Sequence, residues 1–116
     1  MKTVFHVSSP DPGDQRHALA NAANLWADDA VSAPGDEIVV VANGGGVRMF
    51  VEGAAADPEM VAALAERGIA FRACSNALRG AGKTAEDLLE GVEAVPSGVG
   101  ELARLQSEGF GYVKAP

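Results

Sequence analysis

Cysteine is nearly absent from this sequence of 116 residues, which contains only Cys74. A single cysteine excludes an intrachain disulfide, a Cys-x-x-Cys redox pair and a cysteine-rich zinc site. The two histidines, His6 and His17, fall on different predicted elements, so together with Cys74 they form no recognisable set of metal ligands. We therefore predict neither a metal centre nor a cofactor.

Positive charge is also scarce. Nine basic residues, of which only three are lysines, stand against sixteen acidic ones, and the net charge is −7. Nucleic acids and anionic membrane surfaces both need a basic patch for binding, so we predict that the protein binds neither. The acidic, lysine-poor composition is typical both of proteins from salt-adapted organisms and of ordinary acidic cytosolic proteins.

Long hydrophobic runs are missing as well. The longest, "IVVVA" at positions 38–42, is far shorter than a membrane span. The opening "MKTVFHV" is strand-like and lacks the layout of a signal peptide, so we expect a cytoplasmic protein. Its 47% apolar and 22% charged residues are typical of a folded chain, and its length predicts one domain over residues 1–116.

What the sequence does contain is an alternation of strand-like and helix-like segments. Apolar or β-branched runs predict five strands, at 3–7, 37–42, 69–73, 93–95 and 110–114. Helical spacing or capping residues predict helices at 14–30, 58–67, 84–90 and from 98 onward, while 47–56 indicates a short helix or a turn. The order predicts an α/β fold, a three-layer α/β/α sandwich with a mostly parallel five-stranded sheet.

Polar or reactive residues follow almost every predicted strand. Because ligands of open α/β sheets bind at the carboxyl ends of the strands, these residues form one candidate rim. They are His6, Ser8, Asn43, Gly44, Gly45, Gly46, Cys74, Ser75, Asn76, Ser97 and Gly98. The run "NGGG" is consistent either with an anion-binding nest of backbone N–H groups or with a tight turn that requires glycine.

The segment "ALRGAGKT", positions 77–84, resembles a phosphate-binding loop that has lost its first glycine. No later predicted strand ends in the aspartate that would hold magnesium, and the helix predicted after Thr84 is short. A capped helix that follows a glycine turn explains the segment, so we predict no nucleotide site there.

Cys74 directly follows a predicted buried strand, and a helical turn is predicted over residues 75–78. Backbone N–H groups at a helix start stabilise thiolate, Ser75 and Asn76 are candidate donors to it, and Arg72 and Arg79 are candidate positive charges. A reactive thiol without a second cysteine is suited to carrying one sulfur atom as a persulfide. The alternative is a buried structural cysteine, and the residues alone leave both open.

Several segments, in their order, resemble the DsrE/DsrF-like family, including its small YchN-like members. They are "VFHV", "ALANAANL" (18–25), "VVVANGGGV" (39–47), "ERGIAFRACSNAL" (66–78) and "AEDLLEGVEAVPSGVGELARLQSEGFGYVK" (85–114). The resemblance covers nearly the whole chain, and residues 66–114 contribute most of it.

The resemblance implies an α/β/α sandwich that assembles as trimers or hexamers. It further implies that Cys74 accepts persulfide sulfur and passes it between a sulfur-donor protein and an acceptor protein. A sulfur carrier or sulfurtransferase is therefore the predicted function. The alternative is a non-enzymatic oligomer that binds a small anion or nucleotide at the rim and in which Cys74 is incidental.

Overall fold

The computed structural model describes the whole chain, Met1–Pro116. Its strands are β1 (Lys2–Val7), β2 (Glu37–Ala42), β3 (Ala70–Cys74), β4 (Val92–Val95) and β5 (Gly111–Lys114). Its α-helices are α1 (Pro12–Trp26), α2 (Pro58–Glu66), α3 (Ser75–Gly80) and α4 (Gly98–Ser107), and two 3₁₀ helices span Gly44–Phe50 and Ala85–Asp87. None of the helices combines the length and the apolar composition that crossing a membrane requires.

The five strands form one sheet in the order β4-β3-β2-β1-β5, and all four pairs of neighbours are parallel. Each of β2, β3 and β4 pairs with the strand that precedes it in the sequence, so the sheet extends from β1 in one direction. The chain then crosses from β4 to β5, which are the two opposite edges of the sheet. The predicted parallel α/β fold is thus confirmed, with no antiparallel strand in the sheet.

The two faces of the sheet carry cores of different size. The larger core, with the aromatic pair Phe50 and Phe71 in edge-to-face contact, packs α1, α2, α3 and the first 3₁₀ helix on one face. On the other face only α4 packs against the strands, through Leu102 and Leu105. Val99 is 64% exposed because the first turn of α4 lies beyond this small core.

Capping residues fix where the helices begin and end. At the start of α2 the Asp57 carboxylate accepts a hydrogen bond from the backbone N–H of Met60, and Pro58 occupies the first turn, as the sequence indicates. After the helix, Gly68 adopts a φ of +101°, which ends it. The first helix begins two residues earlier than predicted, because Asp11 caps it. It also ends at Trp26 instead of near residue 30.

The segment that resembles a phosphate-binding loop has a different structure. Its first four residues belong to α3, so the glycine turn follows a helix and not a strand. Thr84 and Asp87 form a capping box, but it begins only the 3₁₀ helix Ala85–Asp87 and not the helix predicted over 84–90. The segment therefore lacks the strand–loop–helix context that a phosphate-binding loop requires.

Candidate functional site

The chain leaves the carboxyl ends of β3 and β4 toward opposite faces of the sheet. After β3 it enters α3, whose Leu78 belongs to the larger core, whereas after β4 it enters α4 on the other face. Such a divergence of neighbouring strands opens a crevice, and ligands of open α/β sheets bind at this kind of switch point. Cys74 is the last residue of β3 and Ser97 caps α4, so both lie at the crevice.

The thiol of Cys74 is nearly buried, with 6% of the residue exposed. Its Sγ accepts a hydrogen bond from the backbone N–H of Ala77, 3.4 Å away, and thereby caps the start of α3. The donor is therefore the backbone, and not the side chains of Ser75 or Asn76 that the sequence indicated.

The positive charges predicted near the thiol are engaged elsewhere. Arg72 donates to the Glu101 carboxylate of α4 at 2.5 Å, and Arg79 donates to the side-chain oxygen of Asn76. Arg104 also binds Glu101, and these hydrogen bonds hold the pKa of that buried carboxyl below its ordinary value. The ion pair between β3 and α4 fixes the position of α4 on the sheet.

The start of α4 lies directly against the ends of β2 and β3. A Cβ at Gly98 would lie 2.9 Å from the Cβ of Asn43 and 3.1 Å from the Cβ of Cys74. Both distances are shorter than side chains ordinarily allow, so glycine permits this approach. The first turn of α4 consequently closes one side of the crevice over both residues.

A chain of hydrogen bonds crosses the same rim from β5 to β2. His6 lies between Tyr112 and Asn43, with Nδ1 2.6 Å from the Tyr112 hydroxyl and Nε2 2.8 Å from Asn43 Oδ1. Next to it, Lys114 Nζ donates to Ser8 Oγ at 2.7 Å. Burial lowers the pKa of His6 below its ordinary value and the charge of Lys114 adds to this, although the bond to Asn43 opposes it. The lowered pKa favours the neutral imidazole.

Tyr112 is the residue of this rim that the sequence reasoning missed. The sequence shows it on the last strand, but only the strand order places that strand beside β1 and its histidine. The signal available in the sequence was an aromatic residue with a hydroxyl group in a short terminal strand.

The glycines after β2 serve close packing. A Cβ at Gly46 would lie 2.4 Å from the carbonyl oxygen of Val7, and one at Gly45 would lie 2.7 Å from the Cβ of Pro10. Gly44 has a φ of +51°, which other residues rarely adopt. The contacts explain "NGGG" as a tight turn without an anion-binding nest.

The predicted rim residues separate into two groups. His6, Asn43, Cys74 and Ser97 lie around the crevice beside α4. Gly98 lies with them at the start of α4, Ser8 accepts a hydrogen bond from Lys114, and Gly46 lies against Val7. The remaining residues lie on the flanks of α3, where Ser75 lines a depression of about 270 Å³ with Arg79, Lys83 and Thr84, and Gly44 and Gly45 line another of about 280 Å³ with Arg48. Asn76 is exposed and bonded to Arg79.

Fold and site together define a class of protein, an all-parallel α/β sandwich with one nearly buried cysteine at the end of its third strand. The chain belongs to the DsrE/DsrF-like family, whose sequence profile matches residues 1–115. Among curated proteins, no sequence matches it significantly.

Solved structures share this fold, two of them over nearly the whole length of both chains. The protein of unknown function MTH1491 from Methanobacterium thermoautotrophicum is 37% identical, with a TM-score of 0.88 over 97% of both chains. The ychN protein from E. coli is 15% identical, with a TM-score of 0.77 over 98% of this chain and 99% of the other. Both likenesses support the fold, and at 15% identity the second concerns the fold alone.

Proposed function

We propose that this protein is a sulfur carrier that accepts sulfane sulfur on Cys74 as a persulfide. The observation that carries the proposal is the position of the thiol at the switch point between β3 and β4, with a backbone N–H already directed at its sulfur. Membership of the DsrE/DsrF-like family supports the same chemistry.

The chemistry needs one thiol and no external oxidant. The thiolate of Cys74 attacks the outer sulfur of a donor persulfide, a new S–S bond forms on Sγ, and the donor's S–S bond breaks. The donor leaves as a thiolate, so the oxidation states balance. An acceptor thiolate then removes the outer sulfur from Cys74 by the same exchange. Because no second cysteine is present to form a disulfide with it, the persulfide persists until an acceptor arrives.

We place this activity in the cytoplasm, between a sulfur-donor and a sulfur-acceptor protein. A reducing compartment keeps a lone thiol free, as Cys74 is here, and available for exchange.

The proposal includes assembly into a homo-oligomer, a trimer or hexamer. All four residues of β5 are exposed, with Tyr112 at 43% and Val113 at 41%, and these two side chains point to opposite faces of the sheet. A strand that no helix covers on either face, with one open edge, is best protected by a second copy of the chain. Light scattering of Val113→Lys against the native chain tests this, and an unchanged mass would remove β5 from the interface.

The test of sulfur carriage is intact-protein mass spectrometry after incubation with polysulfide or thiosulfate. We expect the native chain to gain the mass of sulfur atoms, reversibly with reductant, and Cys74→Ser to gain none. Cys74→Ser is a matched control because serine preserves the size and the hydrogen-bonding capacity of the side chain. If the native chain gains no sulfur and the folded thiol resists alkylation, Cys74 is structural.

A second candidate function is binding of a small anion with no role for Cys74. The depression beside α3 favours it, because Arg79 and Lys83 line it and neither forms an ion pair. Thermal stabilisation by inorganic phosphate that survives Cys74→Ser but disappears in Lys83→Ala would support this function. Absence of any such stabilisation would eliminate it.

A further inference from the structure

The hydrogen-bonded chain of Tyr112, His6 and Asn43 ends beside the only thiol of the protein, and its role can be worked out from the geometry. We propose that His6 is a positioning residue, which fixes the Asn43 amide so that its NH₂ group remains available to donate to negatively charged sulfur on Cys74. The inference rests on the proposed sulfur-carrier function and names a part of its machinery.

His6 and Asn43 lie on the face of the sheet that α4 covers. Cys74 lies beside them with its Cβ against the start of α4, while its sulfur accepts from α3 and the residue packs in the larger core. Side chains alternate between faces along a strand, so a residue two positions after another on the same strand shares its face. His6 comes two positions after Val4, which packs on α4, and Asn43 comes two after Val41, which does the same. Cys74 comes two positions after Arg72, which pairs with Glu101 of α4. The three residues are therefore consecutive along one edge of the sheet.

The strand register and Gly98 bring Asn43 next to the thiol. The neighbours Ala42 and Ala73 are directly paired between β2 and β3, so the residues that follow them, Asn43 and Cys74, lie side by side. A Cβ built at Gly98 would lie within 3.1 Å of the Cβ atoms of both, so both residues lie against the start of α4.

The hydrogen-bond partners determine which way the imidazole and the amide face. The amide oxygen of Asn43 can only accept, so the Nε2 of His6 carries the proton and donates to it. Nδ1 then accepts the hydroxyl of Tyr112. With Oδ1 held by the imidazole, the Asn43 NH₂ group makes no hydrogen bond within the protein. This unpartnered donor belongs to the residue that follows β2, beside Cys74 at the end of β3.

The charges around His6 are consistent with this tautomer. The titratable groups that face the imidazole are Tyr112 and Lys114, both on β5. The positive charge of Lys114 disfavours a second proton on the imidazole. A neutral imidazole keeps Nδ1 as an acceptor, which the contact with Tyr112 requires.

The rate at which iodoacetamide alkylates the folded thiol tests the inference. The rate depends on how well negatively charged sulfur is stabilised, and the assay requires no sulfur transfer. A hydrogen bond to a charged group contributes enough to change a rate by about tenfold. We expect His6→Ala and Asn43→Ala each to slow alkylation of Cys74 by about tenfold relative to the native chain. Tyr112→Phe, which removes one exposed hydroxyl, should slow it by about threefold.

The control for a merely structural role is His6→Gln. Its side-chain NH₂ replaces the Nε2 donor, so the amide of Asn43 stays oriented and the alkylation rate should return to within about threefold of the native rate. His6→Leu fills the same space without a donor and should remain as slow as His6→Ala. Circular dichroism and the melting temperature establish that each variant is folded.

The inference is wrong if folded His6→Ala is alkylated at the native rate or faster, or if His6→Gln is alkylated as slowly as His6→Leu. If the alanine variants do not fold, alkylation of Tyr112→Phe at the native rate would equally contradict it. Failure of the proposed function looks different. The native chain would then gain no sulfur from polysulfide, but the alkylation rates of the His6 variants would still show whether His6 affects the reactivity of Cys74.

Discussion

The close approach of α4 to the thiol makes Gly98→Ala the most informative single substitution. The new methyl group would lie 2.9 Å from the Cβ of Asn43 and 3.1 Å from the Cβ of Cys74. Both neighbours are the fixed first atoms of side chains on strand ends, so neither can rotate away. The start of α4 must move instead, although the ion pair between Arg72 and Glu101 resists the shift.

The magnitude follows from two opposing effects. Overpacking of this kind costs about 1–3 kcal/mol. Replacing glycine by alanine in a helix gains up to about 1 kcal/mol, and less at the first helical position. We therefore expect Gly98→Ala to lower the free energy of unfolding by about 1–2 kcal/mol.

Gly100→Ala is the matched control in the same turn. Its Cβ would lie 3.5 Å from the Cβ and Oγ of Ser97, an ordinary contact. Without the clash the helix-propensity gain remains, and this variant should be more stable than the native chain by about 0.5–1 kcal/mol. Urea unfolding followed by circular dichroism gives both free energies.

Displacement of α4 also uncovers the crevice, so Gly98→Ala should increase the rate at which Ellman's reagent titrates Cys74 in the folded chain. Gly100→Ala should leave that rate unchanged. If Gly98→Ala proves as stable as Gly100→Ala and its thiol reacts at the native rate, α4 does not close the crevice and the reasoning about Gly98 is wrong.

Three further predictions follow from other contacts. Glu101→Gln should lower the free energy of unfolding by about 2 kcal/mol, because the carboxylate is 8% exposed and accepts from two guanidinium groups, whereas the half-exposed Glu108→Gln should change it by less than about 0.5 kcal/mol. Gly46→Ala should lower the free energy of unfolding by about 3 kcal/mol or more, because its methyl group would lie 2.4 Å from a backbone oxygen. Gly80→Ala should not lower it, because the space around Gly80 is open. The depressed pKa of His6 should make stability fall as pH drops below the ordinary value of 6.5, and His6→Gln should remove that part of the pH dependence.

Urea unfolding of each variant, at pH 7.5 and at pH 5.5 for His6, measures these effects. The sign for His6 follows from proton binding, because between the lowered pKa and 6.5 the unfolded chain binds more protons than the folded one. Equal losses for Glu101→Gln and Glu108→Gln, a stable Gly46→Ala, or an identical pH dependence with and without His6 would each contradict the corresponding contact.

Acid stability gives an additional check on Glu101. Its pKa lies below the ordinary 4.5 because Arg104 and Arg72 donate to the carboxylate, despite the opposing effect of burial. The stabilisation is complete above pH 4.5 and is lost as pH falls through the lowered pKa of the folded chain. The Glu101→Gln variant should therefore lose less stability on acidification than the native chain.

The sequence by itself determined the elements of the fold, because their signals are local. Apolar runs marked β2 and β3, and Asp57 with Pro58 marked the start of α2. The alternation of strands and helices then implied a parallel sheet, since parallel neighbours need a crossover helix between them. Boundaries were less certain where a cap outside the apolar pattern, such as Asp11, set the helix start.

The candidate site could be predicted only in part. Strand ends located His6, Asn43, Cys74 and Ser97 at one rim because carboxyl ends of parallel strands share one edge of the sheet. The partners of these residues could not be derived from sequence. Nothing local indicates that the backbone of Ala77 donates to the thiol, or that Glu101 engages the arginine expected beside it.

Only the tertiary structure decided which strands are neighbours and therefore what the rim contains. The crossover from β4 to β5 joins opposite edges of the sheet, so it places Tyr112 beside His6 although 106 residues separate them. It also sends α4 to the second face, where Gly98 meets Asn43 and Cys74. Local propensity specifies each element, but strand order and close packing arise from contacts distant in sequence, and these build the site.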